Sequence, residues 1–485
     1  MSAAAPEKTP GKLYISQQDN YAANFGEVLR SSAVFWAKHD SRVKTTVSVT
    51  NYWKYKNGTE VNTLLNLRDA SGLLIERIKV EFASADVFNY SPPPGFHGSV
   101  EIEAFSIKNL RIPYAAVMAV YECADSITMV HSYSRAYSQH EIEDKRTISV
   151  GEESCWTLSE TAATTSFCVL HNGPGRVGEQ RVRLGIRRAD GEERVVHLQL
   201  PPLAPFQTVV IEPREHLPDI EGWLGGLPGN GRISFRLEGG FTRLLCGIRA
   251  IDWSQLQVTH SNFDYSVHET DQVQGVNATA YMLTPTILDD EVKQEIVVYP
   301  DSTPGMYAMK GDDFELRFKT AQIVRKRYES GRGVRLQFRR EDGMLPSRIV
   351  TALRLGRDAA TIAAECSLGV AHHKRPAKHF SWMLVSRRFN SIVCWVDLND
   401  IYGGCPQNAK LVFKFYSPDA REPLIRETEF SHLPPAGAIR LEQLFDAQVN
   451  WPDSFGYLTV WCSYGGLEFF STLAKKSSIS IEHSF

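Results

Sequence analysis

The chain has 485 residues, of which 43% are hydrophobic, 22% charged and 11% aromatic. This composition is typical of a folded soluble protein and excludes a disordered or fibrous chain, while the length predicts three or four domains. The formal net charge of −3 argues against attraction of the whole protein to nucleic acid or to an anionic membrane.

The first segment, residues 1–24, is rich in small and polar residues and predicts a flexible lead without a signal peptide. No run of about 18 apolar residues follows, so no membrane span is predicted. Most of the eight cysteines lie in apolar, strand-like segments. We therefore expect reduced thiols and a cytoplasmic protein, with export lacking a visible signal as the alternative. Inter-sheet disulfides at Cys168–Cys246 and Cys394–Cys462 stay open.

Apolar and polar residues alternate in many short segments of the chain, which is typical of β-strands with one buried face. These segments are 47–53, 63–69, 74–82, 99–107, 181–188, 195–200, 232–237, 334–339 and 410–416. Helical periodicity is confined to short stretches at 359–365 and 441–445. The sequence therefore predicts an all-β protein.

A repeat organises these strands. An early strand ends at Asn51, Asn172 and Asn399, and an acidic turn residue follows each asparagine at Asp69, Asp190 and Asp419. Each unit then closes with an apolar strand that runs into a histidine. The closing histidines are His131, His260 and His483, with His372 as a poorer match. Their spacing of about 110–130 residues fits one β-sandwich domain.

The repeat predicts four tandem β-sandwich modules that follow the lead. Their expected bounds are 25–142, 143–271, 272–379 and 380–485, the third being divergent. In strand pattern and domain length the modules resemble immunoglobulin-like or fibronectin-like sandwiches. We expect them to lie end to end as a rod.

Two similar segments, HSYSRAYSQHEIED (131–144) and HSNFDYSVHETD (260–271), follow the closing strands of the first two modules. Two imidazoles and a carboxylate in each could hold a divalent metal. The candidate ligands are His131, His140 and Glu141 in the first segment and His260, His268 and Glu269 in the second. We favour a structural joint between domains, in which each histidine bonds to backbone. We expect His483 to act within its own sandwich.

A basic segment, residues 324–342, is predicted to form a hairpin with Leu336 and Phe338 inside and arginines outside. Guanidinium groups suit phosphate or carboxylate recognition. The candidate binding residues are Arg325, Arg327, Arg335 and Arg339. The alternative, which we favour, is a solvated sheet face whose charges discourage aggregation.

Aromatic and basic residues alternate in NYWKYKNG, residues 51–58. Tyr52, Trp53 and Tyr55 could stack on sugar rings or unpaired bases. The equivalent loops of the other modules lack these aromatics, so we favour side chains that cover the end of the domain.

No familiar catalytic motif places a nucleophile beside a base. The sequence therefore favours a non-catalytic binding or scaffolding protein that recognises a carbohydrate or protein partner, anionic if the basic segment is used, and disfavours nucleic acid. No cofactor is required by this hypothesis. The alternative is a metal-dependent enzyme or metal sensor that uses the repeated histidine segments and a divalent metal.

Overall fold

The computed structural model describes residues 29–82, 86–106, 116–131, 135–137, 148–173, 175–238, 244–260, 262–263, 279–299, 305–319, 322–345, 349–368, 379–398, 404–445 and 453–484. Within these ranges it contains 34 β-strands and only short helical segments. The predicted all-β fold of tandem β-sandwiches is confirmed. Every helix in the same ranges is too short to span a lipid bilayer.

The strands form four groups, which we number units one to four. Unit one contains β1 (Leu29–His39), β2 (Lys44–Thr50), β3 (Asn62–Asp69), β4 (Leu74–Val80), β5 (Val87–Tyr90), β6 (Phe96–Ser106), β7 (Val117–Glu122), β8 (Ile127–His131) and β9 (Arg135–Tyr137). Unit two contains β10 (Ile148–Leu158), β11 (Thr164–His171), β12 (Gln180–Arg187), β13 (Glu193–Leu200), β14 (Thr208–Ile211), β15 (Gly229–Glu238), β16 (Leu244–Ala250), β17 (Leu256–His260) and β18 (Asn262–Phe263).

Units three and four have eight strands each in the described residues. Unit three contains β19 (Thr279–Leu283), β20 (Lys293–Val298), β21 (Met306–Lys310), β22 (Glu315–Lys319), β23 (Val324–Tyr328), β24 (Arg335–Arg340), β25 (Thr351–Gly356) and β26 (Ala364–Leu368). Unit four contains β27 (Phe380–Val385), β28 (Ile392–Asp397), β29 (Lys410–Tyr416), β30 (Leu424–Glu429), β31 (Ala438–Arg440), β32 (Gly456–Cys462), β33 (Leu467–Lys475) and β34 (Ser478–His483).

The four units share one strand order. Counted within its unit, the first strand pairs with the sixth in a layer ordered 4-3-6-1, and the other layer is ordered 5-2-7-8. In unit one the two layers join where His39 pairs with Lys44, so they form a single sheet. Unit three, the divergent one, has the same order. What recurs in the four units is therefore the order of the strands in the sheets. The residue bounds of the four domains stay predictions.

Alternating side chains explain why these segments form sandwich strands. In β12, Val182, Leu184 and Ile186 are fully buried in the core of unit two, and the residues between them face outward. Asp69 and Asp190 stabilise the hairpins between the third and fourth strands of their units. Asp69 Oδ1 accepts hydrogen bonds from the backbone N–H groups of Ser71 and Leu73, at 2.9 and 3.0 Å.

Four short α-helices lie among the described residues. They are α1 (Tyr52–Asn57), α2 (Pro213–His216), α3 (Ile220–Leu224) and α4 (Leu441–Leu444). The helical stretch predicted at 441–445 is confirmed. The stretch at 359–365 is instead a turn that leads into β26, and the strand expected over 47–53 ends at Thr50, before α1.

The seven cysteines whose side chains the structure describes are buried and form no disulfide. Cys168 and Cys246 lie directly opposite each other on β11 and β16, within one sheet. A disulfide between sheets at this pair is therefore excluded by the topology. Cys394 and Cys462, in β28 and β32 of unit four, are also unbonded.

The eighth strands of the units, β8, β17, β26 and β34, pack against one another in a closed cycle. We call them the closing strands. Ser126, just before β8, donates its hydroxyl to the Leu256 carbonyl at 3.2 Å and accepts the Leu256 N–H at 2.8 Å. Thr128 makes the same pair of bonds to Val258, at 3.1 and 3.3 Å. Hydroxyl side chains of one edge strand thus make the hydrogen bonds to the other edge strand that a neighbouring backbone would otherwise make.

The same arrangement joins the other units. Ser480 Oγ of β34 accepts the Met129 N–H of β8 at 3.0 Å, and Gln255 bonds to Ala360 and Ile362 at the junction of units two and three. The expected end-to-end rod is therefore wrong. The four sandwiches surround a common axis, and the closing strands line it.

Candidate functional site

Three closing histidines meet at one end of the axis. His131, His260 and His483 are the last residues of β8, β17 and β34, so the packing of these strands brings their side chains together. The ring centroids of His131 and His260 are 4.3 Å apart, and those of His131 and His483 are 5.1 Å apart. One ring nitrogen from each histidine lies within 4.8 Å of the others. We call this group the histidine cluster.

A carboxylate supports the histidine cluster. Glu482 Oε1 lies 3.2 Å from His131 Nδ1, and Glu482 Oε2 accepts the backbone N–H of His483 at 3.2 Å. His483 Nδ1 lies 3.4 Å from the Ser484 carbonyl oxygen. Oxygen atoms therefore lie on the Nδ1 side of both His131 and His483, and such partners commonly position histidines that bind metals.

Unit three contributes no histidine to this end of the axis in the described residues. Its closing strand ends at Leu368, and His372 lies outside the described residues. Cys366 of the same strand is buried near His483. Burial, followed by the negative charge of Glu482, raises the pKa of the Cys366 thiol well above its usual range. The thiol is therefore protonated at neutral pH, unlike a reactive cysteine.

Three neutral imidazoles are a donor set for zinc, and also for copper, nickel or iron. In a tetrahedral zinc site with Zn–N bonds of 2.0–2.1 Å, the ligand nitrogens are about 3.3 Å apart. The nitrogens of the histidine cluster lie within 4.8 Å of one another, so the rings would have to move closer to reach this spacing. A fourth position would be left for water or another small ligand.

The structure rearranges the predicted metal ligands. His131 and His260 belong to one cluster that spans units, whereas the sequence suggested a separate site in each module. His140, Glu141, His268 and Glu269 lie outside the described residues. His483 contacts its own sandwich at the Ser484 carbonyl, and its ring also lies edge-on to His131 of unit one.

Glu482 was not among the predicted ligands or their partners. The three closing strands end in Val-His, Thr-His and Glu-His, so alignment of these strands shows the carboxylate beside the last histidine. Only the cyclic packing of the units brings it to His131.

The basic segment does not form a hairpin. β23 pairs with β20, whereas β24 pairs with β19 and β21 in the other sheet of unit three. Leu336 and Phe338 are fully buried, as the alternation predicted. The predicted continuous cationic face is therefore wrong, because its arginines are divided between two sheets.

Each of these arginines has a local partner. Arg325 and Arg327 contact the carboxylate of Glu295 at 2.9 and 3.0 Å, and Arg339 lies 3.4 Å from Glu341. The Arg335 guanidinium lies 5.2 Å from the ring centre of Tyr281. Most of the positive charge is thus compensated within unit three.

Glu295 is the centre of a buried ion cluster. Burial alone would raise the pKa of its carboxyl group, but the charges of Arg354 and Arg325 outweigh burial and lower the pKa to about 2. Arg354 Nη1 lies 2.7 Å from Glu295 Oε2. The cluster is a structural part of unit three.

The aromatic segment packs against unit four. Tyr52 and Trp53 are buried in α1, and the Tyr52 ring lies 6.1 Å from Phe380 and 6.5 Å from Trp382. The hypothesis that Tyr52 and Trp53 stack on a ligand is therefore wrong for this structure. Tyr55 stacks on Tyr416 with ring centroids 4.3 Å apart and lines a surface groove between units one and four.

No family model matches the sequence, and no curated protein matches it. Among solved structures, one similar chain is described as a crystal structure of a tetra-tandem repeat in the extending region of a large adhesion protein. It is 7% identical, the alignment covers 95% of each chain, and the TM-score is 0.11. A score this low carries no argument about fold or function.

Proposed function

We propose that this protein binds one divalent transition-metal ion through His131, His260 and His483, and that the ion joins three of its four units. The convergence of nitrogens from three separate sandwiches to within 4.8 Å supports this function. A single metal ion can accept lone pairs from all three imidazoles at once.

In this role the imidazoles of the histidine cluster donate their lone pairs to the ion, and Glu482 holds the ring of His131. Because the ligands come from different units, the free energy of metal binding also stabilises the packing of units one, two and four. This coupling favours a metal sensor or metal-stabilised scaffold over a metal-dependent enzyme. His131 and His260 are only 9% and 7% exposed, so a ligand at the fourth position must be small.

The test is metal analysis of the full-length protein, with His483→Ala as the key variant. His197→Ala is the matched control, because His197 is an exposed residue of β13. We expect one zinc, copper or iron per chain in the wild type and the control, and none in His483→Ala. X-ray absorption should show nitrogen neighbours at about 2.0–2.1 Å. Equal metal content in all three proteins would overturn the proposal.

We also propose, as a second function, that the outer sheet faces bind a carbohydrate or protein partner. Large apolar side chains are exposed on outer strands of units one and four, among them Ile75 on β4 and Ile425 on β30. Exposed apolar groups of this size are common at binding surfaces. A binding screen of the intact chain against glycans and proteins tests this function.

A further inference from the structure

A groove of about 540 Å³ lies between α1 of unit one and the outer face of the β27–β32–β29 sheet of unit four. Lys54 and Tyr55 of α1 form one wall. The floor is formed by side chains of unit four, which are Phe380, Lys414, Tyr416 and Trp461. The groove therefore depends on the packing of two units, and its volume is within the range of small-molecule sites.

The floor of the groove carries an exposed aromatic platform. Trp461 of β32 is 45% exposed, whereas most of the described tryptophans are buried. Its direct cross-strand neighbours are Phe380 on β27 and Val412 on β29. Residues directly opposite each other in a sheet point to the same face, so Trp461 and Phe380 form a continuous apolar surface. A flat apolar surface of this kind suits the C–H face of a sugar ring.

The groove also carries an ammonium group that pairs with no carboxylate among the described residues. Lys414 is half-buried, and none of the described residues forms an ion pair with its ammonium group. Lys54 is different, because its Nζ lies 2.8 Å from Asp86 Oδ1 at the edge of the groove. A half-buried ammonium loses hydration that an anionic partner can replace. The pattern points to a ligand that brings one negative charge to Lys414.

The two features lie within reach of one ligand. Lys414 is directly opposite Thr459 on β32, and Thr459 is two residues from Trp461, so Lys414 and Trp461 are diagonal neighbours on one sheet face. Such neighbours are roughly 7–8 Å apart at their backbones. A six-membered sugar ring over Trp461 can therefore place a ring substituent at Lys414.

We propose that this groove binds an oligosaccharide containing a uronic acid, with the pyranose ring on Trp461 and the carboxylate at Lys414. The inference rests on the carbohydrate-binding role proposed above and names its ligand class and site. A nucleic acid fits less well, because Asp86 lies at the edge of the groove and the chain carries a net charge of −3.

The test is calorimetric titration of the full-length protein with a trisaccharide of galacturonic acid and with the matching trisaccharide of galactose. We expect the acidic probe to bind at least 10-fold more tightly than the neutral probe. The preference should weaken at high salt, because its source is an ion pair.

Two variants separate the contributions of ring and charge. Trp461→Ala should reduce binding of both trisaccharides at least 10-fold, and Lys414→Gln should make their affinities equal. Lys410→Gln is the matched control, because Lys410 lies exposed on the same strand outside the groove. Circular dichroism confirms folding of each variant.

Three outcomes would overturn the inference. Equal affinities for the two trisaccharides in the wild type would exclude a preference for uronic acid, although the protein would still bind carbohydrate. Binding that Trp461→Ala and Lys414→Gln leave unchanged would place the sugar elsewhere. Failure of both probes to bind would overturn this site and count against the proposed carbohydrate partner, while leaving the metal proposal intact.

Discussion

His131 Nδ1 lies 3.2 Å from Glu482 Oε1, although the two residues belong to the first and the last of the four units. A carboxylate of one sandwich thus contacts an imidazole of another. The contact exists only because the closing strands pack in a cycle. The histidine cluster therefore forms only when units one, two and four pack together.

Replacing Glu482 by Gln should weaken metal binding without abolishing it. The amide cannot supply the negative charge that lies against the His131 ring, and loss of such a partner typically costs 10–100-fold in affinity. Competition with a chromophoric chelator measures the affinity. Glu427→Gln, at an exposed position of β30, is the control. Identical affinities in both variants would show that Glu482 does not orient the ligand.

The packing of units around an axis predicts a compact particle. For a compact chain of 485 residues the radius of gyration is about 23 Å, and four sandwiches laid end to end would give a much larger value. Small-angle X-ray scattering of the monomer at several concentrations measures this quantity. An elongated scattering profile would contradict the cyclic packing.

The stability of unit two should depend on the protonation of His171. This side chain is buried beside Thr208, with 3.1 Å between Nδ1 and Oγ1, and burial lowers the pKa of its imidazole to about 3. Between this value and the usual pKa near 6.5, the unfolded chain binds a proton that the folded chain does not. The stability is therefore complete above about pH 6.5 and decreases as the pH falls towards 3.

Chemical denaturation between pH 4 and 7 measures this dependence. The free energy of unfolding of the wild type should fall by about 1.4 kcal/mol per pH unit more than that of His171→Gln. The comparison removes the contribution of all other groups, since they are common to both proteins. Parallel curves for the two proteins would show that His171 titrates normally.

Removal of Glu295 should destabilise unit three strongly. Glu295→Ala leaves Arg325 and Arg354 buried without their shared carboxylate, and breaking a buried pair in this way typically costs about 3–5 kcal/mol. The control is Glu341→Ala, because Glu341 pairs with the largely exposed Arg317 and Arg339. Its loss should cost less than about 1 kcal/mol. Urea denaturation compares the two variants, and equal losses would contradict a buried ion cluster.

Much of the fold follows from local sequence patterns. Alternation identified strands such as β12 and β24, because a sandwich buries one face of each strand whichever strand is its neighbour. Asp69 and Asp190 marked turns for an equally local reason. The repeat of closing histidines revealed the number of units, although the third unit has only His372 as a match.

The pairing of strands and the packing of units could not be predicted in this way. Consecutive strands β23 and β24 read as a hairpin, but the chain crosses to the other sheet between them. Ser126 and Thr128 resemble solvent-exposed residues, because a polar side chain that bonds to another unit has the same sequence pattern as one that bonds to water. For the same reason the sequence did not distinguish a Tyr52 that stacks on a ligand from one that packs against another unit. In the structure Tyr52 packs against unit four.

The order of the three proposed metal ligands along the chain has a consequence for synthesis. A ribosome makes His131 first, His260 after a further sandwich and His483 only after two more, and domains generally fold as they emerge. A nascent chain therefore presents at most two of the three imidazoles until β34 is translated. Metal capture would mark the arrival of the fourth sandwich, so that a prematurely terminated product neither holds the ion nor gains the stability that the ion gives.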